Sequence, residues 1–243
     1  MSARAISVRA RGGYSAAHVP LTSPQYLAIK RVLDVILSLV LIALLFPLML
    51  VIAAAILLDS PGPVIFRQNR VLGGRPSCPG DRAGERTFEF IKFRTMYHHA
   101  DQGVHRRYVK DLIAGTARAS ERGGTSVYKL CDDPRVTRLG RLLRATSLDE
   151  LPQLINVLRG EMSLVWPRPA IPYEVRRYRP WHRQRLAVKG RLTGLWQVSE
   201  RNWCWFDEIV PLDIEYIQRR SLRLDLSILL ATIPAVVSGR GVV

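Results

Sequence analysis

From Val35 to Leu58 the chain runs for 24 residues without a charged side chain. A helix rises about 1.5 Å per residue, so this stretch can cross a hydrocarbon core of about 30 Å. A soluble core helix so long and so uniformly apolar is unusual, and insertion into a bilayer is expected. The flanks complicate a simple crossing. Lys30 and Arg31 precede the segment, and Arg67, Arg70 and Arg75 follow it. Lys and Arg favour the cytoplasmic side of a membrane, so positive charge near both ends fits two ends on one side. Pro47 stands in the middle. It lacks an amide donor and crowds the preceding turn, which predicts a kink and frees a carbonyl near Ala43, with Ser38 a candidate partner. On the residues alone, a bent helix that returns to one face and a spanning helix with a tolerated proline both stand. Asp34, at the mouth of the segment, is expected to pair with Lys30 or Arg31.

The apolar segment also narrows the meaning of the charge. With 36 Lys and Arg against 20 Asp and Glu, the formal net charge is +16. Such a balance calls for a polyanionic partner: nucleic acid, an anionic membrane face or phosphorylated substrates. A membrane segment argues for an anionic membrane surface and against nucleic acid. From Arg176 to Arg191 there are seven Arg or Lys, no acid, and Tyr178 and Trp181 between them. That mixture suits the headgroup zone of a bilayer. Leu222 to Val237 is apolar but broken by Arg223, Asp225 and Pro234, so it reads as an interfacial or core helix. Residues 1–25 form a basic leader with no apolar run, read as flexible. Cys78, Cys131 and Cys204 are too few and too scattered for a disulfide framework or a zinc pattern.

Ser60-Pro61-Gly62-Pro63 stops the apolar segment. Val64 to Phe66 then reads as a short strand, Arg75 to Arg86 as a loop, and Phe88 to Phe93 as a second, alternating strand. A hairpin beside the end of the membrane segment is the result. Residues 97–133 are polar, with helical character only near Arg106 to Ile113. His98, His99 and His105 lie there without the spacing of a metal site. Arg135, Arg138, Arg141 and Arg144 recur every third residue and are expected to form one basic helical face.

Asp149-Glu150 is the sharpest local feature. Ser147 and Glu150 fit a capping box, and Asp149 could itself be an N-cap with Pro152 in the first turn. The helix that follows carries Leu154, Ile155, Val157 and Leu158, and Gly160 would end it. Capping is the commoner use of such a pattern. The neighbourhood supports another one. Arg144 lies five residues earlier, and prolines on both sides restrict Arg168 in Pro167-Arg168-Pro169. Restrained arginines suit phosphate recognition. An ionised carboxylate beside bound phosphate is a candidate nucleophile, and its neighbour can hold Mg2+.

These residues together resemble the bacterial sugar transferase family, the monotopic polyprenyl-phosphate phosphoglycosyl transferases in their short form. The resemblance runs from Lys30 to Ile233. It rests on Lys30-Arg31-x-x-Asp34, Ser60-Pro61-Gly62-Pro63-Val64 and Phe66-Arg67-Gln68-x-Arg70-Val71 with Gly73. It continues through Lys92-Phe93-Arg94-Thr95-Met96, Thr137-Arg138-Leu139-Gly140 and Ser147-Leu148-Asp149-Glu150-Leu151-Pro152-Gln153. Pro167-Arg168-Pro169, Leu192-Thr193-Gly194-Leu195-Trp196-Gln197-Val198 and Leu224-Asp225-Leu226 complete it. The resemblance implies an α+β, mainly helical fold. It has a re-entrant, proline-broken membrane helix over residues 26–59 and a cytoplasmic, membrane-associated catalytic domain over 60–243, with interfacial helices and a short β-hairpin. It implies residence at the bacterial inner membrane, a UDP-sugar donor, and a polyprenyl phosphate acceptor, expected to be undecaprenyl phosphate. Asp149 would be the nucleophile, Glu150 a Mg2+ ligand and Lys92 an active-site lysine. Arg94, Arg144 and Arg168 would bind phosphate. Whether the chain forms a homodimer stays open. Trp166, Gly190, Arg191 and Glu200 depart from the family pattern and bear on loop geometry near the sugar or uridine.

Overall fold

The computed structural model describes residues 23–74, 86–101, 103–114, 120–122, 125–127, 133–165, 167–194 and 206–237. The three cysteines, Trp166, Glu200 and residues 75–85 of the loop expected from Arg75 to Arg86 lie outside them.

Helix α1 (Pro24–Asp59) holds the apolar segment. Among the described residues it is the one helix long and apolar enough to cross a membrane. Pro24 takes a first-turn position, where its missing donor costs nothing. The expected break at Pro47 does not interrupt the helix, which runs through it. A proline inside a helix removes one backbone hydrogen bond, and here the helical pattern continues on both sides of it. The serine expected to take up the freed carbonyl does not do so: Ser38 is fully buried, and its hydroxyl meets no hydrogen-bond partner among the described residues.

Strands β1 (Ile65–Val71) and β2 (Thr87–Phe93) form the expected antiparallel hairpin, with Ile65 opposite Phe93 and Val71 opposite Thr87. Phe88, Phe90, Ile91 and Phe93 of β2 are buried. Helix α2 (Gly103–Ala114) and a small antiparallel pair, β3 (Ser120–Arg122) and β4 (Thr125–Val127), lie in the polar 97–133 stretch. Helix α3 (Arg138–Ala145) leads through a 3-10 turn at Leu148–Glu150 into α4 (Gln153–Leu158). Strand β5 (Met162–Val165) pairs in parallel with β6 (Gly190–Thr193), a pairing the sequence reading missed. The short helix α5 (Pro172–Val175) and a 3-10 segment at Pro180–Ala187 lie between them. Helices α6 (Phe206–Arg219) and α7 (Leu222–Val237) follow. The described chain is thus mainly helical with small two-stranded sheets.

Helix α4 ends as its sequence requires. Gly160 adopts φ +77°, and the amides of Gly160 and Glu161 return to the carbonyls of Val157 and Asn156 at 2.9 and 3.0 Å. Two cations complete that end. Arg31 of α1 donates to Val157 O and Leu158 O at 2.6 and 2.7 Å, and Lys189 donates to Gly160 O at 2.6 Å. Asn156, fully buried, ties α4 to the free edge of β2. It accepts from Ile91 N at 3.2 Å and donates to Glu89 O at 2.8 Å, as a neighbouring strand would.

Both halves of α1 pack on the same globular body. Leu37, Leu41 and Ile42 lie against the cluster of Phe88, Phe90, Leu154, Leu164 and Ile228, while Ile52 and Ile56 are buried with Phe93 and Leu143. Strand β2 therefore lies under both halves. The polar contacts agree. Lys30 is buried and bonds Asp225 of α7 at 2.9 Å, and Asp34 accepts from Ser163 Oγ at 2.6 Å and Leu164 N at 3.1 Å in β5. Asp34 thus takes hydrogen-bond partners far along the chain, while the nearby charge of Lys30 still acts on it. A buried charge draws on whatever partners the fold brings as well as on its neighbours in sequence. At the other end, Arg94 donates to Ile56 O at 3.3 Å, Ser60 O at 2.6 Å and Pro61 O. The other face of α1, with Leu39, Val40, Leu44, Phe46, Leu50, Val51 and Leu58, is exposed, and so are Leu226, Leu230 and Ile233 of α7.

Candidate active site

Asp149 is not a helix cap. Ser147 has φ +56°, and its amide returns to Arg144 O at 3.2 Å, so it closes the end of α3. Ser147 makes no side-chain cap bond, and the N-cap position of α4 falls on Pro152 while Asp149 lies within the 3-10 turn, which removes both capping readings. The left-handed residue turns the chain sharply and sets Asp149 into the 3-10 turn, where only 6% of it is exposed. There Lys92 of β2 donates to Asp149 Oδ2 at 3.3 Å. The Lys92 ammonium also lies 5.8 Å from the centre of the Phe66 ring.

The surroundings are strongly positive. Burial pulls Lys92 below its usual 10.5. The charge of Asp149 opposes the shift, and Arg144 and Arg168 add to it. Arg144 is likewise drawn down, by burial first, with Asp149 acting against it. Arg70 falls to about 10, from burial first and from the charge of Arg168 second. Glu150 acts on both Lys92 and Arg70. Lys92 therefore feels the charges of Asp149, Arg144, Arg168 and Glu150 together.

Several arginines have different neighbours from those expected. Arg94 is engaged by the carbonyls that end α1, which places it at a helix terminus. The row of arginines at every third position does not form one face. A helix turns about 100° per residue, so nine residues separate Arg135 and Arg144 by half a turn. Arg135 precedes α3 and pairs with Asp133 at 2.6 Å. Arg138 and Arg141 are exposed, and Arg144 points inward, its Nε donating to Thr95 Oγ1 at 2.9 Å. In the basic 176–191 run, Tyr178 is buried beside His182 and Phe206, and Arg185 forms a buried 2.6 Å pair with Asp213. Part of that run is core, not headgroup contact.

Two neighbours of the site escaped the reading of single residues, although both lie in quoted motifs. Thr95 holds Arg144. Arg70, 7% exposed, donates to Pro169 O at 2.9 Å and so braces the Pro167-Arg168-Pro169 turn. Gly190 explains one departure from the family pattern. A Cβ there would stand 2.5 Å from Pro169 Cβ, so β6 meets this turn through a residue without a side chain. Among the described residues no group of three or more His, Cys, Asp or Glu is gathered to hold a metal ion.

The lowered Lys92 predicts a pH effect. Its ammonium loses the proton below the usual 10.5, so kcat/KM of the wild type should fall on the alkaline side before that point. Lys92→Arg keeps its charge there and should remove that fall. An unchanged alkaline limb in Lys92→Arg would assign it to another group.

The described residues thus set a buried carboxylate among clustered cations, in a chain whose helix α1 is long and apolar enough to cross a membrane. The chain belongs to the bacterial sugar transferase family, whose model matches residues 25–239. It is 38% identical over 212 residues to the exopolysaccharide production protein ExoY of Sinorhizobium fredii, covering 87% of each chain. To the UDP-glucose:undecaprenyl-phosphate glucose-1-phosphate transferase of Caulobacter vibrioides it is 41% identical over 220 residues, which is 86% of this chain and 70% of that one. It is also 43% identical over 181 residues to the galactosyl transferase CpsE of Streptococcus agalactiae, matching 74% of this chain but spanning only 36% of that relative's length.

Proposed function

We propose that the protein moves a phosphosugar from a UDP-sugar to a polyprenyl phosphate through a covalent intermediate on Asp149. The observation that carries this reading is the Asp149 carboxylate, buried and held by Lys92 within a cluster of arginines. The names of the relatives support donor and acceptor classes: one is a glucose-1-phosphate transferase to undecaprenyl phosphate, another an undecaprenyl-phosphate galactose phosphotransferase. The reaction would be the first membrane step in assembling an exopolysaccharide, O-antigen, capsule or glycoprotein glycan.

In the first step an Asp149 oxygen attacks the β-phosphorus. The bond from that phosphorus to the bridging oxygen breaks, and UMP leaves with the oxygen. Asp149 then carries the phosphosugar as a mixed anhydride. In the second step an oxygen of the lipid phosphate attacks the same phosphorus, and the carboxylate leaves. Donor and acceptor both present phosphate, so one set of cations serves each in turn. Lys92, Arg144 and Arg168 bind phosphate oxygens and offset the charge that builds on them. Mg2+ fits the residues present: it commonly takes one or two carboxylates, with the rest of its shell from substrate phosphates and water. Glu150 would hold it beside Asp149, and when bound it would neutralise diphosphate charge. A panel of UDP-sugars with polyprenyl phosphate tests the reading. It expects UMP as the nucleotide product; UDP would mean ordinary glycosyl transfer and would overturn it.

We also read α1 as re-entrant, with both ends on the cytoplasmic side of the inner membrane. Its start and its end are bonded to one polar body, through Asp225 and Ser163 and through Arg94. A crossing helix would put those two sets of contacts on opposite sides of the bilayer. The test replaces the three native cysteines and labels Ala28→Cys and Asn69→Cys separately in sealed inverted vesicles. Both should react with an impermeant reagent added outside. Reaction of only one means a true span.

A further inference from the structure

The residues from Lys92 to Thr95 divide three tasks. Lys92 meets Asp149, Arg94 ends α1, and Thr95 holds Arg144. We propose that Thr95 is a positioning residue for the transfer: its hydroxyl fixes the Arg144 guanidinium from the side and leaves the charged tip for a substrate phosphate. This rests on the reading of Arg144 as a phosphate ligand.

The contact is built for orientation. Thr95 is 2% exposed, and Oγ1 accepts from Nε of Arg144 at 2.9 Å. Nε is the flank of the fork. Among the described residues the terminal nitrogens of Arg144 meet no protein acceptor at hydrogen-bond distance. A carboxylate in the place of Thr95 would also orient the arginine, but it would cancel the charge a phosphate needs. A neutral hydroxyl orients without cancelling.

The backbone around Thr95 is equally restrained. Its carbonyl accepts from Thr137 N at 3.1 Å, and Thr137 Oγ1 caps α3 by accepting from Gly140 N at 2.9 Å. A Cβ on Gly140 would stand 2.1 Å from the Thr95 carbonyl oxygen, so glycine is what allows α3 this close. Positions 137, 140 and 144 are three and seven residues from the cap and share one helix face. That face lies on Thr95. Thr95 thus docks the start of α3 through its backbone and fixes Arg144 two turns later through its side chain.

Thr95→Val keeps the shape and removes the acceptor. Its kcat/KM for the UDP-sugar should fall on the order of tenfold to a hundredfold, the usual effect of misplacing a binding group by about 1 Å. Thr95→Ser should restore most of the loss. The decisive readout is a cycle: single-turnover UMP release is measured for Thr95→Val, Arg144→Met and the double variant. If Thr95 acts through Arg144, adding Thr95→Val to Arg144→Met costs nothing further. The same added loss in both backgrounds, or wild-type kcat/KM in Thr95→Val, overturns the proposal. UMP release is scaled to the folded fraction of each variant, so a loss of stability common to both backgrounds does not enter the cycle. If Asp149→Asn retains turnover, the transfer reading itself falls. An inactive Asp149→Asn beside a fully active Thr95→Val removes only the role of Thr95.

Discussion

Asp149→Asn should reduce UMP release by about four to six orders of magnitude, the scale seen when an enzyme loses its nucleophile. The amide has nearly the shape of the carboxylate, and its oxygen can still accept from Lys92, which donates to Asp149 Oδ2 at 3.3 Å. The turn that carries it is set by Ser147 and the end of α3, neither of which the substitution touches. Folding should therefore survive while the attacking oxygen is lost. The removed negative charge leaves Lys92 facing Arg144 and Arg168 with less compensation, so its pKa should fall further. Ground-state binding of the UDP-sugar should weaken far less than turnover, since the cations remain. Wild-type UMP release from a folded Asp149→Asn protein would remove the nucleophile from this account.

The second large effect concerns stability. Three donors converge on Asp225: Lys30 Nζ at 2.9 Å, Tyr26 OH at 2.9 Å and Tyr216 OH. Tyr216 OH also lies 3.2 Å from Val165 O. The side chains of Lys30 and Asp225 are 6% and 8% exposed, so the pair is buried. Asp225→Leu would remove the acceptor shared by an ammonium and two hydroxyls, of which Tyr216 keeps Val165 O. Breaking a buried pair on one side costs about 3–5 kcal/mol, a large part of a typical folding free energy of about 5–15 kcal/mol. Lys30→Met should cost less, because two tyrosines still donate to Asp225. Combining the two removes both charges and should recover part of the Asp225→Leu loss. Denaturant midpoints in detergent measure this. A double variant as weak as the sum of the singles would mean that the charges do not act as a pair.

What the sequence revealed follows the range of the forces involved. The long apolar run, the stop at Ser60-Pro61-Gly62-Pro63, the alternating β2 strand and the Gly160 terminus are local patterns, and each has its expected counterpart. Partners distant along the chain were not legible. Lys30 and Asp34 are spaced for a pair on one helix, and the charge of Lys30 does act on Asp34, but their bonds to Asp225 and Ser163 come from the fold. Ser147 matched the start of one helix but serves the end of the preceding one, because its backbone is left-handed. Arg94 and Arg144 looked equivalent as cations. Only the packing of α1 against β2 sends the first to a helix terminus, and only the approach of Gly140 to Thr95 turns the second toward the site. The cluster around Asp149 was legible through motifs, while the side chains that hold the cluster in place required the fold.

The proposed mechanism rests the phosphosugar on Asp149 between the two half-reactions. Intact-protein and peptide mass spectrometry after a short incubation with a UDP-sugar, without lipid acceptor, tests it most directly. One added phosphosugar mass is expected on the peptide that contains Asp149, with one equivalent of UMP, and that mass is lost when polyprenyl phosphate is added. Lipid product formed with no adduct, or an adduct on another residue, would contradict it.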